Sequence, residues 1–405
     1  MTDRPHATIL YHYLHPDDVV SARHLSDLAA GLAARGWAVT GVACNRGCRD
    51  ESVTYPTAGE WEGVQLRRMW RPRFLQSTTR GRLLNAAWMT AAWGLRGAVG
   101  RRHRREIMLV GTDPVFSVLA VLPWALFRHR CGRAHWAFDL HPEASVAEGA
   151  IRERSVAVRL VKGLLGMAYR QCHLVADLGP CMKGLLRRYG SPGRHVTLTP
   201  WALVEPAASV APDPATRREL FGDAALGLLY SGNFGRAHGY AEFLNLARRL
   251  RGTPVGFCFA GRGNRTDELK AAVRPDDTNV SFAGFAPESE LEKRLGACDL
   301  HLVSLRPEWA GTVVPSKFFG ALATGRGVVY AGPQDSAIAR WIDEFQVGWV
   351  LTPATAASVA ADLQVLAADP DRLADMRRRC HAVYHAHFSK AIQLARWDAE
   401  LRRLL

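Results

Sequence analysis

The sequence predicts an α/β chain made of two doubly wound parallel sheets. Three observations lead there. Short apolar runs alternate with segments of helical period along most of the chain. A stretch rich in Ala and Pro, 200–214, carries no period and divides the alternation in two. The length of 405 residues suits two domains of about 150–200 residues each.

The first alternation opens with a strand over 8–11. Residues 21–35 have helical period, with Leu25, Leu28, Ala29 and Leu32 on one face. Gly36 stops that helix, and 39–44 is the next strand. Parallel strands need such a crossover. Further strands are predicted at 64–68, 107–111, 135–139, 174–177 and 195–198, with helices near 79–100, 115–129, 155–170 and 180–189. After the linker, strands at 227–230, 255–260, 280–282, 300–303 and 328–330 alternate with helices at 240–251, 267–273, 287–297 and from Pro315 to a Gly325 stop. Two such sheets joined by a linker imply a cleft between domains.

Composition narrows the classes. The chain is 48% hydrophobic and 22% charged, which excludes disorder. No run reaches the roughly 18 apolar residues of a spanning helix; the best, 115–127, is short and holds Pro123. Asp3, Arg4 and His6 precede a strand rather than a signal sequence, so the expected location is cytoplasmic. The eight Cys form no C-x-x-C pair and suit reduced core thiols.

The formal charge of +14 is unevenly placed. Between Arg67 and Arg105 there are eleven Arg and no Asp or Glu, interleaved with Trp70, Phe74, Trp88, Met89 and Trp93. No helix-turn-helix, zinc finger or RNA-binding signature accompanies them, so nucleic acid is not the expected partner. A basic, aromatic, amphipathic segment fits an anionic membrane surface at the inner face, or else an ordinary solvated helix.

The most informative stretch is 311–325. The N–H groups of Val314, Ser316 and Lys317 would lie at a helix start, where the dipole collects anions. Lys317 is one of six Lys against 46 Arg, which suits a need for a compact ammonium. The turn 231–239 follows a strand and holds three Gly with Arg236 and His238 as donors, a phosphate cradle in composition. Its spacing is neither a dinucleotide fingerprint nor a P-loop. A second Gly-rich turn, 260–264, also ends a strand. In the first half, Asp17 and Asp18 leave the first strand on a cleft-facing loop, where they would bind acceptor hydroxyls or simply be solvated. His381, His385 and His387 lack a completing carboxylate, so no metal is expected.

In order, "YSGNFGRAHG", "FAGRG", "VSFAGF" and "VPSKFFGALATGRGVV" resemble the nucleotide-sugar domain of family-4 retaining glycosyltransferases. The "GTVVPSK" loop looks like the bacterial polysaccharide branch, and "FDLHPE" extends the resemblance into the first half. It implies two Rossmann-like domains facing a cleft (GT-B), with the last helix crossing back to the first. It places the donor on Gly232, Asn233, Arg236, His238, Arg262, Phe285, Thr312, Val313, Val314, Pro315, Ser316 and Lys317. It also places the 136–143 loop near the anomeric carbon. There His141 would hydrogen-bond a sugar hydroxyl, with Asp139 or Glu143 orienting it or taking a proton. The chain departs from the family's Glu-x7-Glu pair, whose positions hold Thr312 and Gly320. The Arg and Lys of the family's phosphate turn are Asn233 and His238 here.

The expected domains are 1–200 for the acceptor, 201–214 as linker, 215–385 for the nucleotide sugar and 386–405 as the returning helix. The expected function is retaining transfer of a hexosyl group from a nucleoside-diphosphate sugar to a hydroxyl acceptor, lipid-linked or a small metabolite. No cofactor is expected. A sugar-nucleotide epimerase and a non-enzymatic anionic-surface binder are the alternatives.

Overall fold

A computed structural model describes residues 4–76 and 78–405. The domain start at 1–3, with Asp3, lies outside the described residues. The chain divides into two compact units. The first runs to Thr199 and takes in Gly311–Val313 and Gln393–Leu405; the second holds Pro200–Ala310 and Val314–Ile392.

In the first unit the strands are β1 (His6–Leu10), β2 (Ala38–Cys44), β3 (Ala58–Trp61), β4 (Val64–Met69), β5 (Glu106–Gly111), β6 (Gly132–Trp136), β7 (Leu174–Asp177) and β8 (Arg194–Thr197). Its helices are α1 (Val20–Ala34), α2 (Thr79–Val99), α3 (Val121–Phe127), α4 (Glu143–Ala147), α5 (Val156–Tyr169) and α6 (Pro180–Arg187). The sheet order is β3-β4-β2-β1-β5-β6-β7-β8. All neighbours are parallel except β3 and β4, an antiparallel hairpin at the edge. Its turn places Glu62 and Gly63 at φ 46° and 76°, in the left-handed region a tight hairpin requires.

The strand expected at 135–139 sits three residues earlier. Past Trp136 the Thr112 hydroxyl takes the place of a neighbouring strand, accepting from the Phe138 N–H at 2.7 Å. The helix expected over 115–129 is a 3₁₀ turn, Ser117–Ala120, followed by α3. Pro123 falls in the first turn of α3, where its missing N–H removes no helical bond.

The second unit has strands β9 (Leu226–Asn233), β10 (Val255–Arg262), β11 (Val280–Ala283), β12 (Leu300–Ser304), β13 (Gly327–Ala331) and β14 (Gly348–Leu351). Its helices are α7 (Pro214–Phe221), α8 (Ala241–Arg249), α9 (Thr266–Ala272), α10 (Leu291–Gly296), α11 (Lys317–Ala323), α12 (Ala337–Phe345), α13 (Ala356–Ala367) and α14 (Pro370–Val383). The sheet order is β11-β10-β9-β12-β13-β14, and every pair is parallel. Leu228, Tyr230, Phe257, Leu302 and Val329 fill one face against Phe243 and Leu246 of α8 and Leu363 of α13. Residues 201–214 are tied to this unit: the Val210 carbonyl accepts from Arg326 at 2.5 Å, and Pro206 accepts from His381 at 3.1 Å.

The last helix, α15 (Lys390–Arg402), packs into the first unit from Gln393 onward. Trp397 is fully buried with its ring 4.9 Å from that of Trp136. The Trp37 indole donates to Asp398 at 2.6 Å, and Arg194 pairs with Glu400 at 3.0 Å.

Candidate active site

In an open parallel sheet, the strand order reverses at one place and leaves a crevice beyond the carboxyl ends of the strands. In the second unit that reversal lies between β9 and β12. The two strands pair only at Leu228–Leu300 and Leu229–His301 and then part. The turn after β9 occupies the opening.

His238 spans it. Its Nδ1 lies 2.8 Å from the Ser304 carbonyl at the end of β12. Burial first, and Lys317 second, hold the imidazole down at about 3. The ring is therefore neutral, Nδ1–H donates to Ser304, and Nε2 is left as an acceptor. His238 therefore fixes the turn rather than offering a proton to a phosphate.

Lys317, the first residue of α11, reaches the same turn. Its Nζ donates to the Asn233 carbonyl at 3.1 Å and stands 5.1 Å from the Tyr230 ring centre. The residue is half-buried, yet desolvation of the ammonium lowers it to about 8. Gly232, at φ 114°, passes beneath: a Cβ there would meet Lys317 Cε at 3.3 Å. Only glycine combines that backbone with that approach. The second Gly-rich turn lies alongside, with Gly261 against the Gly232 carbonyl and the Phe234 N–H donating to Arg262 at 2.7 Å. Arg262 stacks on the exposed ring of Phe285 at 4.2 Å. Arg236 and Ser316 are exposed, and Val314 and Pro315 are buried.

α11 starts two residues later than expected, at Lys317, with Ser316 as its N-cap. Thr312 and Val313 group with the first unit, where the Thr312 carbonyl accepts from the Leu140 N–H at 2.9 Å. Beside the turn, a cavity of about 810 Å³ is lined by Gly239, Tyr240, Glu242, Arg265, Arg306 and Glu308; Lys317 is not among its lining residues. Arg265, which no sequence motif singles out, donates to the His238 carbonyl at 2.6 Å.

The first unit places its expected residues around the ends of β1 and β6. Asp139 is exposed to solvent yet crowded by chain atoms; desolvation and then Asp113 push its carboxylate up to about 6. His141 contacts the Ser145 hydroxyl at 3.3 Å, and burial, then Arg82, lower it. Glu143 is engaged elsewhere. It accepts from the Tyr189 hydroxyl at 2.7 Å and pairs with Lys162 at 3.5 Å. Asp17 accepts from the Cys48 N–H at 2.8 Å, and Asp18 pairs with Arg49 at 2.7 Å.

Residues 225–369 match the family described as glycosyl transferases group 1. That segment holds the His238 and Lys317 geometry. The chain is 26% identical over 314 residues to WbjE of Pseudomonas aeruginosa, described as a probable glycosyltransferase, covering 75% of this chain and 76% of that one. Among solved structures, sucrose-phosphate synthase from Thermosynechococcus elongatus superposes with a TM-score of 0.72 at 16% identity, covering 99% of both chains. HepE of Anabaena, solved in complex with UDP, superposes with a TM-score of 0.67 at 12% identity, over 98% of this chain and 100% of that one. The fold is that of the GT-B glycosyltransferases, two parallel-sheet α/β domains.

Proposed function

We propose that the protein transfers a hexosyl group from a nucleoside-diphosphate sugar to a hydroxyl acceptor with retention of anomeric configuration. The observation that carries this is the Lys317 ammonium fixed on the Asn233 carbonyl at the reversal of the second sheet. A diphosphate there meets a compact cation, the exposed Arg236 and the backbone of a Gly-rich turn. As the glycosidic bond breaks, negative charge builds on the leaving diphosphate, and Lys317 and Arg236 stabilise it. Both are cations of the chain, so neutralising that charge calls on no metal. The family resemblance of the "GTVVPSK" segment supports retention. In that case the acceptor approaches on the leaving-group side, and the departing phosphate takes its proton. His141 and Asp139 would hold the transferred sugar; Glu143, already engaged by Tyr189 and Lys162, is the weaker candidate.

The acceptor we infer is lipid-linked, presented at an anionic membrane surface. Not all of the Arg-rich segment serves this. Arg71 is buried against Glu51, and Arg68 donates to the His15 carbonyl. The apolar support comes from α2, α3 and α5. Leu95, Val99, Leu126, Val156 and Leu160 are each more than 60% exposed. Between α2 and α3 runs an apolar groove of about 750 Å³ lined by Leu83, Ala87, Ala91, Leu95, Pro123 and Phe127. Exposed apolar area of this extent marks an interaction site. Arg80, Arg82, Arg101, Arg102, Arg104 and Arg105 are exposed, and their charge complements anionic headgroups. No described helix is long and apolar enough to cross a membrane.

A thermal-shift panel of UDP, GDP, ADP and dTDP tests the donor reading. A specific nucleotide at one hundred times Kd stabilises the fold by about 2.7 kcal/mol. No response to any of the four, followed by no release of nucleotide from the corresponding sugars, refutes it.

A further inference from the structure

The two units are alike at one point. Each sheet has one place where the strand order reverses, and in each a histidine crosses it. In the first unit the reversal lies between β1 and β5. The registers Leu10–Val110 and Gly111–Trp136 bring the ends of β1, β5 and β6 level. His12, two residues past β1, donates its backbone N–H to the Asp113 carbonyl at 3.0 Å. Its Nδ1 stands 3.4 Å from Asp113 Oδ2. The adjoining loops are pinned: the Thr112 hydroxyl donates to the Trp136 carbonyl at 3.2 Å, and the Ser117 hydroxyl donates to the Gly111 carbonyl.

We propose that Asp113, oriented by His12 and acting with Asp139, binds neighbouring hydroxyl groups of a sugar ring at the reversal of the first sheet. This rests on the sugar-transfer reading above. The asymmetry of the pair is the first argument. His12 is 1% exposed, whereas the Asp113 side chain is 41% exposed. A buried imidazole is costly to charge, and burial does pull His12 down; Asp113 and Cys44 outweigh it and leave it at about 9. The backbone bond from His12 and the contact of its ring with one carboxylate oxygen hold Asp113 in place while 41% of its side chain stays open to a ligand. That is a preorganised acceptor for a ligand O–H.

The second argument is position. Ligands of such sheets bind at the reversal. Asp113 is near enough to raise Asp139 and His141, so its charge bears on both residues expected to touch the sugar. Two carboxylates at one edge suit a vicinal diol, since each accepts from one hydroxyl. A divalent cation is disfavoured by the imidazolium, and among the described residues no group of three or more His, Cys, Asp or Glu is placed to hold one.

Saturation-transfer NMR on the full chain tests this, with methyl glycosides of glucose, galactose, mannose and rhamnose, and with UDP-glucose, UDP-galactose and GDP-mannose. Wild type should saturate the ring protons of at least one. A free glycoside that responds identifies an acceptor sugar; a response confined to a nucleotide sugar identifies the donor's ring. Asp113→Asn, nearly isosteric and at an open position, should weaken that sugar at least about tenfold, the scale of one lost charge-assisted hydrogen bond. UDP affinity by calorimetry should stay unchanged. His12→Gln should weaken the sugar in the same sense; if it fails to fold, Asp113→Asn alone decides. Undiminished sugar binding by Asp113→Asn overturns the proposal, as does silence of every sugar with wild type while UDP still binds. Failure of all nucleoside diphosphates to bind overturns the parent reading instead.

Discussion

The ammonium of Lys317 lies 3.1 Å from the carbonyl oxygen of Asn233, so the start of α11 is joined to the end of β9 by one hydrogen bond. Eighty-four positions separate the two residues in sequence. That bond brings the turn after β9 and the start of α11 into one place. A bound diphosphate would compete for the same ammonium, which makes Lys317 the position to test first.

Lys317→Ala should leave the fold intact, because the residue is only half-buried and α11 is anchored by Phe318 and Phe319. Loss of a charge-assisted contact contributes roughly 1.5–3 kcal/mol, so the affinity for nucleoside diphosphate should drop at least tenfold. Calorimetry measures it; an unchanged Kd removes Lys317 from the site.

Affinity should also depend on pH in a defined window. Desolvation places Lys317 at about 8 in the free protein. Below that pH the ammonium is intact; above it, binding must first restore the proton. Affinity should be flat from pH 6.5 to 7.5 and fall between pH 8 and 9.5, by up to tenfold per unit. The same shift acts on stability with opposite sense. The folded pKa is below the unfolded value of 10.5, so the unfolded chain holds more protons between about 8 and 10.5, and stability from this group rises with pH there. Lys317→Met should abolish both trends.

Asp139 offers a trade between stability and turnover. Its folded pKa of about 6 exceeds the ordinary value of 3.8, so the native state holds more protons in between. Stability from this group is therefore lost as pH rises from about 4 to 6. Asp139→Asn should melt at a higher temperature than wild type at pH 7 and at the same temperature near pH 3. Its transfer rate should be lower. A variant that melts lower at pH 7 contradicts the assignment.

His141→Ala should lower kcat and kcat/KM together, by about 10²–10⁴-fold, if the imidazole acts mainly in the transition state. A rise in KM alone would make it a binding contact. Wild-type turnover at saturation would leave it no part in the reaction.

Membrane docking is separable from chemistry. Leu95→Glu and Leu160→Glu alter exposed positions and should not affect melting. Each should reduce cosedimentation with vesicles containing phosphatidylglycerol several-fold. Salt should release wild type as well, because headgroup attraction is screened within about 10 Å at 0.1 M. Equal recovery with neutral and anionic vesicles, at low and high salt, counts against the surface.

Much of the strand order was readable because parallel strands here are short apolar runs closed by Gly or Asp. Gly111 and Asp177 each mark a strand end that the structure shows. Lys317 stands out in the sequence as one of six Lys against 46 Arg at a helix start, but its bond to Asn233 does not show there. What stayed hidden depends on pairings between distant residues. The hydroxyl of Thr112 ends β6 early, and no local pattern encodes that. Ser304 turns His238 from an expected donor into a fixed strut. Tyr189 and Lys162 occupy Glu143. His12 and Asp113 are a hundred residues apart and meet only once the sheet forms. The antiparallel hairpin of β3 and β4 was missed because a single short polar strand carries little hydrophobic signal.

The placement of α15 has a consequence for synthesis. Trp136 has a neighbour, Trp397, on a helix that is translated after the whole of the second unit. About 190 residues of the second unit are translated in between. At typical elongation rates of roughly 5–20 residues per second, the first sheet waits some 10–40 s with an aromatic face uncovered. The first unit is thus discontinuous in time as well as in sequence. A nascent chain stalled after the second unit should still engage chaperones and be cut by protease near Trp136. Emergence of α15 from the exit tunnel then closes the first unit.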